Sequence, residues 1–114
     1  MTTREPINHL EAWLNQEHQV RALTLAGVGA GVATHAQIAG KNGLEVMQAL
    51  LNGEIPFAAI GTTLDFMLIE AASGRAVFQG TPGPAHLNPM GGIHGGWYAA
   101  LLDSALGCAV HTMM

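Results

Sequence analysis

The sequence has little charge, few aromatic residues and a single cysteine. Charged residues make up 11% of its 114 residues, and 8 acidic residues outnumber 4 basic ones. The four basic residues are scattered, whereas a nucleic-acid surface needs a concentrated basic patch. One cysteine excludes an internal disulfide, so we expect a reducing, cytoplasmic location. Because apolar residues nevertheless reach 49%, the composition predicts a globular chain with a modest core, not a disordered one.

A sustained apolar run that could cross a membrane is also missing. Residues 22–40 carry no charge, but they are rich in glycine, include His35 and Gln37, and lack continuous Leu, Ile and Phe. Their Gly27-Val-Gly29-Ala-Gly31 pattern matches neither the dinucleotide-binding fingerprint nor the phosphate-binding loop. We therefore expect a loop or weakly ordered linker here, and no contact with a membrane.

The chain divides at about residue 41 into an N-terminal extension (1–41) and a second region (42–114). In the extension, the residues from Ile7 to Arg21 place Leu10, Trp13, Leu14 and Val20 close to helical spacing. This spacing predicts a short amphipathic helix, which packs on a neighbour or frays.

The second region begins with clear local signals for a helix and a hairpin. A helix is predicted from Gly43 to Leu51, with Asn52-Gly53 as its stop. A strand is predicted from Thr63 to Ala71, covered on one face and at least half covered on the other. Ser73-Gly74 is a turn signal and Ala76–Gly80 is again extended, which predicts an antiparallel hairpin. The prolines between Thr81 and Met90 predict a link without regular structure.

The last predicted helix, from Gly95 onward, is apolar nearly all round. Such a helix has to be enclosed by other structure, and two strands cannot enclose it. The sequence ends at Met113-Met114 without a capping glycine or a charged last turn. We therefore expect the rest of the domain's strands to lie beyond this sequence.

This helix combines an open start with one acidic residue. Gly95 and Gly96 leave the first amides uncovered, so that their N–H groups and the helix dipole can face an oxyanion. Asp103 is the acid, and a carboxylate enclosed in an apolar helix is costly unless it is used or paired. The pattern indicates a site for an acyl group, in which the helix N–H groups bind the carbonyl oxygen and Asp103 acts as a base.

The motif Asn88-x-x-Gly91-x-x-His94-Gly95-Gly96, followed by Asp103, resembles that of the phenylacetate-degradation (PaaI-like) hotdog-fold acyl-CoA thioesterases. The resemblance covers about residues 43–114. It implies an α+β hotdog fold, an antiparallel sheet wrapped around a long central helix, of which this chain supplies the N-terminal half. It also implies a hydrolase of small or aromatic acyl-CoA thioesters that needs no cofactor and forms a homodimer or a dimer of dimers.

The resemblance assigns a role to each motif residue. Asp103 is implied to be the general base or the nucleophile, and Gly95 to donate its N–H to the thioester carbonyl. Asn88 adds a side-chain donor, and His94 orients the site. Gly91 and Gly96 are implied to contact the substrate. In this family a further Ser or Thr that holds the water comes from a strand later in the domain.

Helix geometry places a separate constraint on such a site. Gly95 and Asp103 are eight residues apart, or about 12 Å along the axis, whereas groups acting on one carbonyl lie within about 3–3.5 Å of the reacting atoms. Two such helices packed antiparallel would set the amide end of one beside the Asp of the other. We therefore expect a site shared across a homodimer.

Other interpretations stay open. The glycine pair can serve helix entry alone, Asn88 can be an ordinary turn residue, and His94, like His86 and His111, can be structural. Six His residues invite a metal site, but no metal-binding spacing appears. The alternatives to hydrolysis are an acyl-CoA-binding hotdog domain, a dehydratase, and a chain that is inactive by itself.

Overall fold

Residues 8–114, described by a computed structural model, form a mixed α+β arrangement. It contains five α-helices and one two-stranded antiparallel sheet. In chain order the elements are α1 (His9–Ala26), α2 (His35–Ile38), α3 (Gly43–Leu51), α4 (Ala59–Leu64), β1 (Phe66–Ala72), β2 (Arg75–Gly80) and α5 (Gly95–His111). The mixed α+β class is thereby confirmed, but no hotdog sheet wrapped around a helix is identified in these residues.

Helix α1 is longer than the sequence predicted and turns a different face to the protein. The Asn8 side chain caps its first turn, and no helix breaker occurs before Gly27, so the helix continues past Arg21 to Ala26. The buried side chains are Glu17 and Thr24, whereas Leu10, Trp13 and Leu14 are exposed. The predicted apolar face was therefore wrong, because the helix packs on α3 and β1 through its later turns. Ile7 lies outside the described residues.

The glycine-rich segment that follows is more ordered than the linker expected there. Backbone hydrogen bonds join Gly31 N–H to the Phe57 carbonyl (2.9 Å) and Phe57 N–H to the Gly29 carbonyl (3.1 Å). The short helix α2 is closed by a reciprocal cap between Thr34 and Gln37. The bonds to Phe57 join distant parts of the chain, which explains why local composition did not reveal them, whereas the Thr34–Gln37 cap is a local signal that was not predicted.

Helix α3 confirms the sequence prediction residue for residue. Asn42 and Glu45 form a reciprocal cap at its start, and Gly53 follows its end with φ 75°. Gly43 is buried where the start of α3 meets the end of α5, and its N–H donates to the Met114 carbonyl at 2.9 Å.

The strand predicted from Thr63 begins later, at Phe66. Residues Ala59–Leu64 form helix α4 instead, and Asp65 ends it in the left-handed conformation with φ 54°. Thr63 and Leu64 are thus helical, because the apparent alternation of apolar residues spans the helix end and the strand start. Arg21 of α1 holds this corner through an ion pair with Asp65 at 3.0 Å.

The hairpin itself is as predicted. β1 and β2 pair antiparallel around Ser73-Gly74, with an irregularity between Leu68 and Glu70. The first four residues of β1 are all buried and the last three are not, which agrees with a strand covered on one face and at least half covered on the other. The link after β2 contains one 3₁₀ turn at Pro84–His86, so the prediction of no regular structure there was too strict.

Helix α5 rests on the hairpin by one side only. Trp97 is its single buried residue; the ring lies edge-on to Phe66 at 6.2 Å, and its Nε1 donates to the Leu64 carbonyl at 2.7 Å. Leu102, Leu106 and Val110 are each more than 60% exposed. Enclosure of this helix is therefore not present within residues 8–114. No helix in this range is long and apolar enough to cross a membrane.

Candidate functional site

The loop before α5 is built around Asn88. Its side-chain oxygen accepts the N–H groups of Met90 (2.9 Å) and Gly92 (3.1 Å), and Gly91 takes the left-handed φ of 86° that the turn requires. The Asn88 N–H also donates to the Gly92 carbonyl at 2.7 Å. Asn88 and Gly91 therefore shape the loop, and within residues 8–114 the Asn88 side-chain NH₂ makes no hydrogen bond.

The start of α5 is partly capped. His94 is the N-cap residue, and its Nδ1 accepts the Gly96 N–H at 2.8 Å. The expectation that both glycine amides are uncovered was therefore wrong for Gly96. In the described part of the chain the Gly95 N–H has no acceptor, and a Cβ at Gly95 would meet nothing within 4 Å. The Gly95 N–H is thus open at the start of a 17-residue helix, which is the end of a helix that favours negative charge.

Asp103 is exposed, not buried as the apolar helix suggested. The reason is that α5 is covered on one side only. Asp103 nevertheless lines an open groove of about 250 Å³ between α5 and the hairpin. The walls of this groove are almost entirely apolar and include Leu50, Phe57, Phe66, Leu68 and Phe78. A lone carboxylate at the side of an apolar groove is the arrangement expected where a small apolar ligand meets a reactive group.

Three further residues of α5 line the groove with Asp103: Ser104, Gly107 and Cys108. Their spacing of one, four and five residues from Asp103 is helical, so this face could have been read from the sequence once Asp103 was chosen. Burial raises the pKa of the Cys108 thiol, which makes the thiol a poor nucleophile at neutral pH.

The predicted site residues fall into two separate groups. Asn88, Gly91, His94, Gly95 and Gly96 lie at or before the start of α5, and none of them lines the groove, whereas Asp103 does. Eight residues of helix separate Gly95 from Asp103 by about 12 Å along the axis. Residues 8–114 of one chain therefore hold a helix start with an open N–H and a groove with a carboxylate, but do not bring the two to the same point.

His86 has a structural role, which agrees with the structural interpretation made of it from the sequence. Its Nδ1 accepts the Gly83 N–H at 2.9 Å, and its Nε2 lies 2.8 Å from the Thr63 carbonyl. The ring also lies 6.5 Å from that of Trp97, so His86 ties the proline-rich loop to α4 and α5. Across residues 8–114 no group of three or more His, Cys, Asp or Glu side chains is placed to hold a metal ion.

Comparison of the whole chain with models of protein families, with curated proteins and with solved structures finds no match. A functional assignment therefore rests on the groove and the helix start themselves.

Proposed function

We propose that this protein hydrolyses acyl-CoA thioesters with small or aromatic acyl groups to the free acid and CoA. The observation that carries the proposal is the apolar groove with Asp103 on its wall. An apolar groove suits the acyl part of a thioester, and a carboxylate beside it suits either direct attack on the thioester carbon or activation of a water. A cytoplasmic setting is part of the proposal.

The proposed reaction uses the two groups in different roles. Asp103 attacks the thioester carbon or removes a proton from water, while the Gly95 N–H stabilises the oxyanion of the tetrahedral intermediate. The Asn88 side-chain NH₂ adds a second donor, and His94 fixes the helix start through its bond to Gly96. Collapse of the intermediate breaks the carbon–sulfur bond, and the CoA thiolate leaves and takes up a proton. If water is the nucleophile, this step gives the free acid directly; if Asp103 is the nucleophile, it gives a mixed anhydride, which water then hydrolyses to the free acid and the Asp103 carboxylate.

The proposed site is completed by a second copy of the chain. Two α5 helices packed antiparallel would bring the Gly95 end of one to the Asp103 of the other, which a single helix cannot do. The exposed Leu102, Leu106 and Val110 give α5 an apolar surface for such packing. This arrangement agrees with the central helix of a hotdog fold, which we propose as the finer description of the architecture.

The central test is thiol release from a series of acyl-CoA thioesters, including phenylacetyl-CoA. Asp103→Asn should lower kcat by about 10²–10⁴-fold, because the amide can act neither as a base nor as a nucleophile. Glu54→Gln is the matched control, since Glu54 is exposed and lies outside the groove; it should keep wild-type activity. Equal activity of the Asp103→Asn and wild-type proteins would contradict the proposal.

A second candidate is an acyl-CoA-binding protein without hydrolysis. Within residues 8–114, the Asp103 carboxylate accepts no hydrogen bond and forms no ion pair that would orient it, and this favours binding without hydrolysis. Acyl-CoA binding by calorimetry without thiol release from the wild-type protein would support this alternative. A wild-type chain that neither binds nor hydrolyses the thioesters would instead be inactive by itself.

A further inference from the structure

Gly107 leaves a gap in the wall of the groove, one helical turn beyond Asp103. The two residues are about 6 Å apart along the α5 axis and line the same groove. A Cβ placed on Gly107 would meet nothing within 4 Å, so the fold does not require glycine at this position. Glycine within a helix is also unfavourable compared with alanine. Neither local propensity nor packing therefore explains this residue.

Gly61, on the opposite wall of the groove, is a glycine that close packing requires. A Cβ there would lie 2.6 Å from the Phe66 carbonyl oxygen, which is a backbone atom that cannot easily move. Gly61 is thus needed for the close approach of α4 to β1, whereas Gly107 opens onto the groove. The free space beside Gly107 is available to a ligand.

The size of the groove limits what that ligand can be. Its volume of about 250 Å³ is below the range of about 300–1,000 Å³ found for pockets that hold drug-sized molecules. It can take an acyl group but not the nucleotide part of CoA. With Asp103 at the thioester carbon, the only direction along α5 that stays on the groove wall leads past Ser104 to Gly107 and Cys108.

We propose that Gly107 is a specificity-determining residue, which sets the longest acyl group the groove accepts. The far carbon atoms of the acyl group lie over Gly107, in the space that any other side chain would fill. The inference rests on the proposed function for the identity of the ligand, and it concerns the size of the acyl group, not the chemistry at Asp103.

The test compares Gly107→Leu and Gly107→Ala with wild type on butanoyl-CoA and octanoyl-CoA. Dissociation constants are measured by calorimetry in the Asp103→Asn background, which prevents turnover, and kcat/KM is measured with Asp103 present. Each methylene kept out of the groove weakens binding about fourfold, so two excluded methylenes weaken it about 15-fold. Gly107→Leu should therefore weaken the binding of octanoyl-CoA by about this factor and change the dissociation constant of butanoyl-CoA less than about twofold. The effect of Gly107→Ala on octanoyl-CoA binding should lie between those of wild type and Gly107→Leu.

Ala22→Leu is the matched control, because it adds a leucine to an exposed helix position outside the groove. It should change neither dissociation constant, and circular dichroism of every variant checks that the fold is kept. A parallel change for both ligands, or no change, would overturn the inference even if the wild-type protein hydrolyses thioesters. If Gly107→Leu selectively loses octanoyl-CoA binding but the protein with Asp103 releases no thiol, the inference is supported and the proposed hydrolysis is contradicted. The inference would also be overturned if the Asp103→Asn protein with glycine at position 107 bound neither ligand.

Discussion

At the scale of single residues, the proposed reaction depends on the Gly95 N–H to stabilise the oxyanion. His94 precedes it with φ −61° and ψ 135°, a conformation that a residue before proline readily adopts, and Gly95 is the first residue of α5, where proline is favoured. Gly95→Pro should therefore keep the helix, remove the N–H and lower kcat by about 10²–10³-fold. The measurement is thiol release under saturating acyl-CoA.

Gly95→Ala is the control for that experiment. It keeps the N–H, and its Cβ has open space, so its kcat should stay close to wild type. A Gly95→Pro protein with wild-type kcat and an unchanged circular dichroism spectrum would exclude this amide from the reaction.

Cys108 gives a prediction about pH. Burial raises the pKa of its thiol above the ordinary value of 9.0, so the folded protein favours the protonated form. The resulting contribution to stability is fully present below pH 9.0 and is lost as the pH rises through the raised value. Iodoacetamide should therefore label Cys108 more slowly in the folded protein than in urea, with a rate profile shifted to higher pH. Identical pH profiles in the two states would contradict burial of the thiol.

At the scale of elements, two glycines in helices should respond to alanine in opposite ways. Gly43 begins α3 against the end of α5, and a Cβ there would collide with the His111 carbonyl oxygen. Gly43→Ala should therefore cost about 1–3 kcal/mol of unfolding free energy, as overpacking usually does. Gly107→Ala should instead stabilise by about 0.5–1 kcal/mol, because its Cβ meets nothing and alanine favours the helix.

Urea denaturation followed by circular dichroism measures both changes. Each variant serves as the control for the other, since both replace a helical glycine by the same residue. If the Gly43→Ala protein were as stable as wild type, the conclusion that α3 and the end of α5 approach too closely for a Cβ at position 43 would be contradicted.

The elements that the sequence predicted correctly are those defined by local signals. The cap residues Asn42 and Glu45 and the stop at Asn52-Gly53 delimit α3, and Ser73-Gly74 closes the hairpin. The elements that it misplaced depend on distant contacts. Helix α4 is held where Gly61 packs on the Phe66 backbone, and α1 is held through its polar face by Arg21 and Asp65. Periodicity reports which residues are apolar, but not which surface another element will cover.

At the scale of the whole molecule, the proposal of a site shared between two chains makes a quantitative prediction. In a mixture of Gly95→Pro and Asp103→Asn chains, about half of the dimers are mixed, and each mixed dimer contains one site with both native groups. Equal mixing after unfolding and refolding should therefore restore about a quarter of wild-type activity, although each variant alone is nearly inactive. Thiol release and light scattering on the same samples are the measurements.

A mixture of Asp103→Asn with Asp103→Asn,Gly95→Pro chains is the control and should remain inactive, because no dimer then contains a native carboxylate. If the first mixture formed dimers without regaining activity, both groups of each site would have to come from one chain, or the proposed function would be wrong. The separate Asp103→Asn measurement distinguishes these two results.

The sequence by itself determined the mixed α+β class, helix α3, the hairpin and the beginning of α5, because caps, turns and glycine pairs act over a few residues. It also determined that a single acid lies in an apolar helix. Only the tertiary structure decided that Asp103 is exposed on the wall of a groove, that His94 occupies the Gly96 amide, and that α5 is covered on one side. These features depend on which elements come together, and packing between distant segments is not encoded in the spacing of neighbouring residues.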